Sequence, residues 1–169
     1  MTLDEMPAHA RLWVHVANRD LTREEQSAMQ EELGQFLQGW SAHGAALSAA
    51  GSVLYDRVLM VALDEQKAGA TGCSIDKLVG FVRGHGERNG IDWFDRHQVL
   101  WRPGAGEEAA GGAWKATRTS EFWAMRKAKL VDDATEVVDP LAATLEAARS
   151  DGGWLVKRFD ESWHAEMWS

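Results

Sequence analysis

Six consecutive apolar residues, Val58-Leu59-Met60-Val61-Ala62-Leu63, constrain the fold more than any other stretch of this chain. Read as a strand, the run is apolar on both faces, so it belongs in the middle of a sheet that is covered on both sides. A second stretch, Arg11 to Asn18, alternates with period two: Leu12, Val14 and Val16 point one way and Trp13, His15 and Ala17 the other. Both of its sides are again largely apolar. The two runs are therefore expected to be adjacent, central and antiparallel.

Helical periodicity fills the interval between them. Thr22 followed by Glu25 is a capping box, and Met29, Leu33, Phe36, Leu37 and Trp40 fall on one helical stripe with Glu24, Glu31 and Glu32 on the wet side. Gly44 stands where a left-handed C-cap is expected, which puts His43 at the end of that helix. Ala49 to Tyr55 reads as a strand joined to the central run by a tight turn at Asp56-Arg57. A second helix carries Ile75, Leu78, Val79 and Val82, and Asn89-Gly90 ends it; Val99 to Arg102 is a last short strand. The order β-α-β-β-α-β predicts an α+β, ferredoxin-like sandwich over residues 1–103. Right-handed crossovers would place both helices on one face, and the C-terminal third is the candidate cover for the other.

Pro103 to Gly112 is a loop by composition, and residues 104–116 are assigned to a Gly-rich connection. Residues 117–169 read as a helical, Trp-rich extension packed on the first unit, so that the whole is one domain. Its expected parts are a helix from Thr119 or Ser120 to about Lys129 and a second from Asp139-Pro140 through Leu141, Leu145 and Ala148 to Gly152. A strand at Trp154-Leu155-Val156 and a tail bearing Trp163 and Trp168 follow.

Charge narrows the choice of partners. With 26 acidic against 18 basic residues the net charge is −8, which works against binding a polyphosphate backbone, so no nucleic acid is expected. No apolar stretch approaches the ~20 residues needed to span a bilayer, and the first residues lack a secretion signal, so a cytoplasmic protein without a membrane partner is expected. One cysteine excludes an intramolecular disulfide and a Cys-rich zinc site, and no His or Cys pair has metal-ligand spacing. No metal or cofactor is expected. A small molecule, a protein partner or a second copy of the chain remains.

The stretch Gly69-Ala70-Thr71-Gly72-Cys73-Ser74-Ile75-Asp76-Lys77 is the first place to look for a ligand. Glycines before a helix let the backbone approach a bound group, and first-turn amides favour an anion or a thiolate at Cys73. Asp64, Glu65 and Asp76 oppose both, and a tight turn with Ser74 as N-cap accounts for the same residues. If the helices run antiparallel, His43 comes near Gly72, Cys73, Ser74 and Asp76, and the tail with His164 folds over them. A cysteine-dependent enzyme would use Cys73 with His43 or His164 as base. A further group, Asp92-Trp93-Phe94-Asp95-Arg96-His97, offers Trp93 for stacking and Arg96 for a bidentate contact; the plainer account is a helix-to-strand connection with its aromatics in the core.

The short words Trp40-Ser41-Ala42-His43-Gly44, Leu63-Asp64-Glu65, Gly72-Cys73-Ser74-Ile75-Asp76, Phe94-Asp95-Arg96 and Ser162-Trp163-His164 resemble, in this order, a family of small uncharacterised bacterial proteins often labelled "ABC transporter ATPase". The likeness runs from about residue 10 to 165. That label implies a P-loop, and the sequence has none. Lys77 follows Asp76 rather than a glycine, and Gly106 to Gly111 has the glycine spacing but Gly112 in place of the lysine. The expectation is a binding or interaction protein, with the cysteine enzyme and a dimerising structural module as alternatives. Without a phosphate cradle the protein is expected to leave ATP intact. Calorimetric titration with magnesium-ATP should give no saturable heat, and micromolar binding would refute the expectation.

Overall fold

The run Val58–Leu63 becomes the centre strand of a three-stranded antiparallel sheet in the computed structural model of the chain, which describes residues 1–104, 113–150 and 153–167. The described residues form a mixed α+β structure with five α-helices and several small antiparallel sheets. They fall into two units, Met1–Asp95 with Ala143–Glu146 and Arg96–Ala142 with Ala147–Ser169. The glycine run from Gly106 to Gly112, Gly152 and Trp168 lie outside the described residues.

The first unit begins with β1 (Arg11–Val16) and α1 (Arg23–Gly39), followed by a two-residue hairpin of β2 (Ser41–Ala42) and β3 (Ala45–Ala46). β4 (Ala49–Leu54), β5 (Val58–Leu63) and α2 (Gly72–Asn89) complete it. Strand order is β1-β5-β4, with Val61 opposite Trp13 on one side and Gly51 on the other. All six residues of β5 are buried, which makes it the strand apolar on both faces that its composition requires. Each fully buried Val, Leu or Met side chain of the strand contributes about 1.5–3 kcal/mol of hydrophobic stabilisation. Leu59, Val61 and Leu63 meet Met29 and Leu33 of α1 and Leu78 and Val82 of α2 in one core.

Three features differ from the ferredoxin-like expectation. β1 lies at the edge of the sheet, not in its centre. The expected fourth strand, Gln98–Arg102, pairs in a different sheet; β1 has only single bridges on its free side, Arg11 with Thr144 and Val16 with Phe94. The reason lies just before it. Trp93 is buried in the first core, and the Asp92 carboxylate accepts the Phe94 amide at 2.8 Å, an Asx turn that stops the chain continuing along β1. The turn between β4 and β5 is centred on Tyr55-Asp56, both at positive φ, rather than on Asp56-Arg57.

Helix ends differ too. α1 starts as its capping box predicts, with Thr22 Oγ1 accepting the Glu25 amide at 3.1 Å, but it stops at Gly39 with Trp40 as an extended C-cap. His43 and Gly44, at φ 50° and 77°, are the turn of the β2–β3 hairpin and not a helix end. The buried Trp40 indole donates to the Ser74 carbonyl at 2.8 Å and so ties this corner to α2. Thr71, not Ser74, is the N-cap of α2; the Ser74 hydroxyl returns the bond by accepting the Thr71 amide at 2.7 Å.

The second unit holds β6 (Gln98–Arg102), β7 (Lys115–Arg118), α3 (Thr119–Lys127), β8 (Glu136–Val138), β9 (Arg149–Ser150), β10 (Gly153–Trp154), β11 (Val156–Arg158) and α5 (Trp163–Met167), and the turn α4 (Leu145–Ala148) is divided between the two units. The region read as a helical extension thus contributes three strands to a four-stranded sheet, in the order β11-β8-β6-β7. It has its own core of Val99, Trp101, Phe122, Val131, Val137 and Phe159. The helix expected from Pro140 is absent apart from α4. Asp139 is buried, and its carboxylate accepts the Leu141 amide at 3.0 Å and the Trp163 amide at 3.1 Å, so it braces a turn instead of capping a helix. Trp154-Leu155-Val156 is not one strand either: Leu155, at φ 65°, separates β10 from β11. Lys115 and Ala116, assigned to the Gly-rich connection, open β7.

Two glycines of α2 should respond in opposite directions to alanine. A Cβ at Gly86 would lie 2.3 Å from the Ile91 carbonyl oxygen, a backbone atom, whereas one at Gly80 meets nothing within 4 Å. Gly86→Ala is expected to cost about 1–3 kcal/mol by overpacking, and Gly80→Ala to add about 0.5–1 kcal/mol through helix propensity. Urea unfolding midpoints of the two variants test the pair.

Candidate functional site

The residues singled out around the start of α2 are close in sequence but differ in exposure and bonding. Gly72, Cys73 and Asp76 are exposed on its first turn, while Ser74 is buried and committed to the capping box. His43 is exposed at the hairpin turn. Among the described residues no hydrogen bond or ion pair joins His43, Cys73 and Asp76. His164 and Arg96 belong to the second unit. No group of three His, Cys, Asp or Glu side chains that could hold a metal ion occurs among the described residues, and none of their helices is long and apolar enough to cross a membrane.

The opposite end of α2 is better built. Gly90, at φ 64°, ends the helix in the left-handed conformation, and Arg19 then gathers its free carbonyls. The Arg19 guanidinium donates to the Asn89 carbonyl at 2.9 Å and the Gly90 carbonyl at 3.4 Å, and grips the Glu25 carboxylate with two bonds of 2.9 and 2.8 Å. That grip, with the Thr22 amide second, holds the Glu25 carboxyl at a pKa of about 2. One arginine thereby fixes the start of α1 against the end of α2. Next to it, Asn18 and Asp92 bond reciprocally: the Asn18 amide donates to the Asp92 carbonyl and the Asp92 amide to the Asn18 side-chain oxygen, each at 2.9 Å.

Between these contacts lies a cleft of about 420 Å³. Val82, Ile91, Trp93 and Phe94 supply its apolar lining, and Asn18, Arg83, Glu87 and Asp92 its polar groups. Trp93 is held by His85: the indole donates at 3.0 Å to Nδ1 of that buried imidazole. An acceptor Nδ1 requires neutral histidine with its proton on Nε2, and burial, which lowers the His85 pKa, favours that form. Phe94 stands edge-on to His15, with ring centres 5.1 Å apart, and carries the Arg83 guanidinium 4.6 Å from its own centre.

The arginine over Phe94 is Arg83 of α2; Arg96, expected to offer a bidentate contact, belongs to the second unit. Arg83 and Glu87 make no hydrogen bond or ion pair among the described residues, although they stand one helical turn apart. Their order is the weaker one for such pairs, with the cation N-terminal to the carboxylate. The cleft therefore offers an aromatic-backed guanidinium, two carboxylates and an amide N–H donor beside an apolar wall. Trp93 carried a sequence signal as an aromatic between two aspartates. Asn18, Arg83 and Glu87 carried none, because an exposed Arg-x3-Glu on a helix looks like any solvated face.

A second polar cluster, in the second unit, is structural. Asp139 accepts the two amides described above and faces the Lys157 ammonium at 3.4 Å. The Ser162 hydroxyl donates to the Phe159 carbonyl at 2.8 Å and lies 3.3 Å from His164 Nδ1. Both Ser162 and His164 are buried, so neither is presented to a substrate. Burial pushes the His164 imidazole down to a pKa of about 4, with Asp139 pulling weakly the other way.

Comparison of the chain with protein-family models, with curated proteins and with solved structures finds no match.

The two buried histidines set a pH dependence. Their pKa values in the folded protein lie below the ~6.5 of an unfolded chain, so the unfolded state takes up protons first as the pH falls. Their contribution is complete above about pH 6.5 and declines towards pH 4. For His164 alone the expected loss is about 2 kcal/mol by pH 5. Urea unfolding at pH 7.5, 6 and 5 reads it; a midpoint unchanged over that range would contradict it. Glu25 and Asp64, whose pKa values are depressed, contribute stability that is lost only lower, as the pH falls below the ordinary carboxylate range.

Proposed function

We propose that this chain is a small-molecule-binding protein, with the cleft at the carboxyl end of α2 as its ligand site and no ATP hydrolysis. One observation carries the reading: the Arg83 guanidinium lines a cleft of about 420 Å³, lies 4.6 Å from the centre of the Phe94 ring and, among the described residues, makes no hydrogen bond or ion pair. An exposed cation–π contact is worth about 0.5–1 kcal/mol and is not a hydrogen bond to an acceptor oxygen, of which the guanidinium can make several. Its N–H fork stays free for a carboxylate or a similar planar anion, which arginine binds with two parallel bonds. The volume of the cleft falls at the lower end of the range of small-ligand sites, and its lining divides evenly between apolar and polar side chains.

The reading keeps the resemblance to the small bacterial proteins and a cytoplasmic location as parts of the proposal, and sets aside their ATPase label for want of a P-loop. A cysteine mechanism has less behind it, since Cys73 is exposed and, among the described residues, makes no hydrogen bond.

The probe is 3-phenylpropanoate, which joins a carboxylate to an apolar ring. At millimolar concentration it is expected to shift the amide resonances of Gly90, Asp92 and Phe94 and the indole N–H of Trp93. Arg83→Gln should weaken its binding at least tenfold while costing no more than about 1 kcal/mol of stability, the worth of the exposed cation–π contact it removes. Shifts confined to residues away from the cleft would overturn the assignment.

A further inference from the structure

The charges around the cleft restrict its ligand further, and this step rests on the reading just proposed. Arg83 is the one cation among the described residues that line it; Glu87 and Asp92 are carboxylates on either side of the helix end. Asp92 uses one oxygen, Oδ1, on the Phe94 amide, and Asn18 uses its carbonyl oxygen on the Asp92 amide, which leaves the other Asp92 oxygen and the Asn18 NH₂ available. Arg19 and Arg88, the other guanidiniums near the end of α2, are already paired with Glu25 and Glu32. They neutralise neither Glu87 nor Asp92.

A ligand with only a carboxylate would satisfy Arg83 but meet two like charges. A ligand with only an ammonium would satisfy Glu87 and Asp92 but meet the guanidinium, and a phosphate dianion is opposed more strongly than a carboxylate. We infer that the cleft selects a zwitterion of amino-acid size, its carboxylate on the Arg83 fork, its ammonium towards Glu87 and Asp92, and an apolar side chain against Val82, Ile91 and Phe94. The carboxylate also receives the Asn18 NH₂ as a second donor type. Such a ligand leaves each of its charges matched, whereas either half alone leaves one group of the protein facing its own sign.

Three probes that share one phenyl ring separate the contributions: L-phenylalanine, 3-phenylpropanoate and 2-phenylethylamine, titrated into the labelled protein while the Gly90, Asp92 and Phe94 amides are followed. L-phenylalanine is expected to bind at least tenfold more tightly than either of the others. Arg83→Gln should erase its advantage over the amine, Glu87→Gln should reduce its advantage over 3-phenylpropanoate, and Arg83→Lys should recover part of the first loss. Equal affinity for L-phenylalanine and 3-phenylpropanoate at these amides would overturn the zwitterion and leave the cleft as the ligand site. If none of the three shifts these amides at millimolar concentration, the zwitterion and the site fall together. Unchanged selectivity in Glu87→Gln and Asp92→Asn alike would also overturn the inference, because the ammonium would then have no carboxylate partner.

Discussion

Everything in the first unit is arranged around a strand that cannot touch water. Six side chains of β5 are buried on two faces, so it needs a neighbour on each edge and a layer on each side. β1 and β4 provide the edges with matching registers, and α1 and α2 provide one layer. Because successive residues of a strand alternate in direction, Leu59, Val61 and Leu63 dictate which faces of the two helices turn inward. The outward faces follow by default. Arg83 and Glu87 are exposed because Leu78 and Val82 are not.

A second constraint sits at the helix ends. The carboxyl terminus of α2 and the amino terminus of α1 each leave backbone groups without helical partners, and Arg19 and Thr22 between them meet several of these needs. Gly86 permits the chain after the helix to return so closely that the Ile91 carbonyl lies where a side chain would begin. That return carries Trp93 into the core and on to His85. A cleft results where the chain has turned back on its own helix, and its polar groups come from three separate places in the sequence.

How much of this was readable in advance depends on the range of the interaction. Thr22 with Glu25, the helical stripe of Met29, Leu33, Phe36 and Leu37 and the break at Gly90 depend on neighbours within a few residues, and they appear as read, Trp40 alone falling beyond the helix. The hairpin at His43-Gly44 was mistaken for a helix end because a glycine at positive φ serves both. The fourth strand was assigned to the wrong sheet. Val99 to Arg102 does form a strand, but its partners lie 14 or more residues further on, in β7 and β8, and no local pattern names them. Pro140 was read as the first residue of a helix. The Asp139 carboxylate instead serves the backbone of Trp163, 24 residues away.

The sequence by itself determined that the chain is a mixed α+β protein, that Val58–Leu63 is its central strand, and that two capped helices flank that strand's sheet. It also determined that no P-loop exists, since that motif is a contiguous local cradle. Only the tertiary structure decided which strands share a sheet and which polar residues converge. Hydrophobic burial and capping act on neighbouring residues and leave a periodic trace. The cleft depends on Asn18, Arg83 and Asp92 meeting across some 70 residues of chain, and that meeting is set by packing, which writes no period into the sequence.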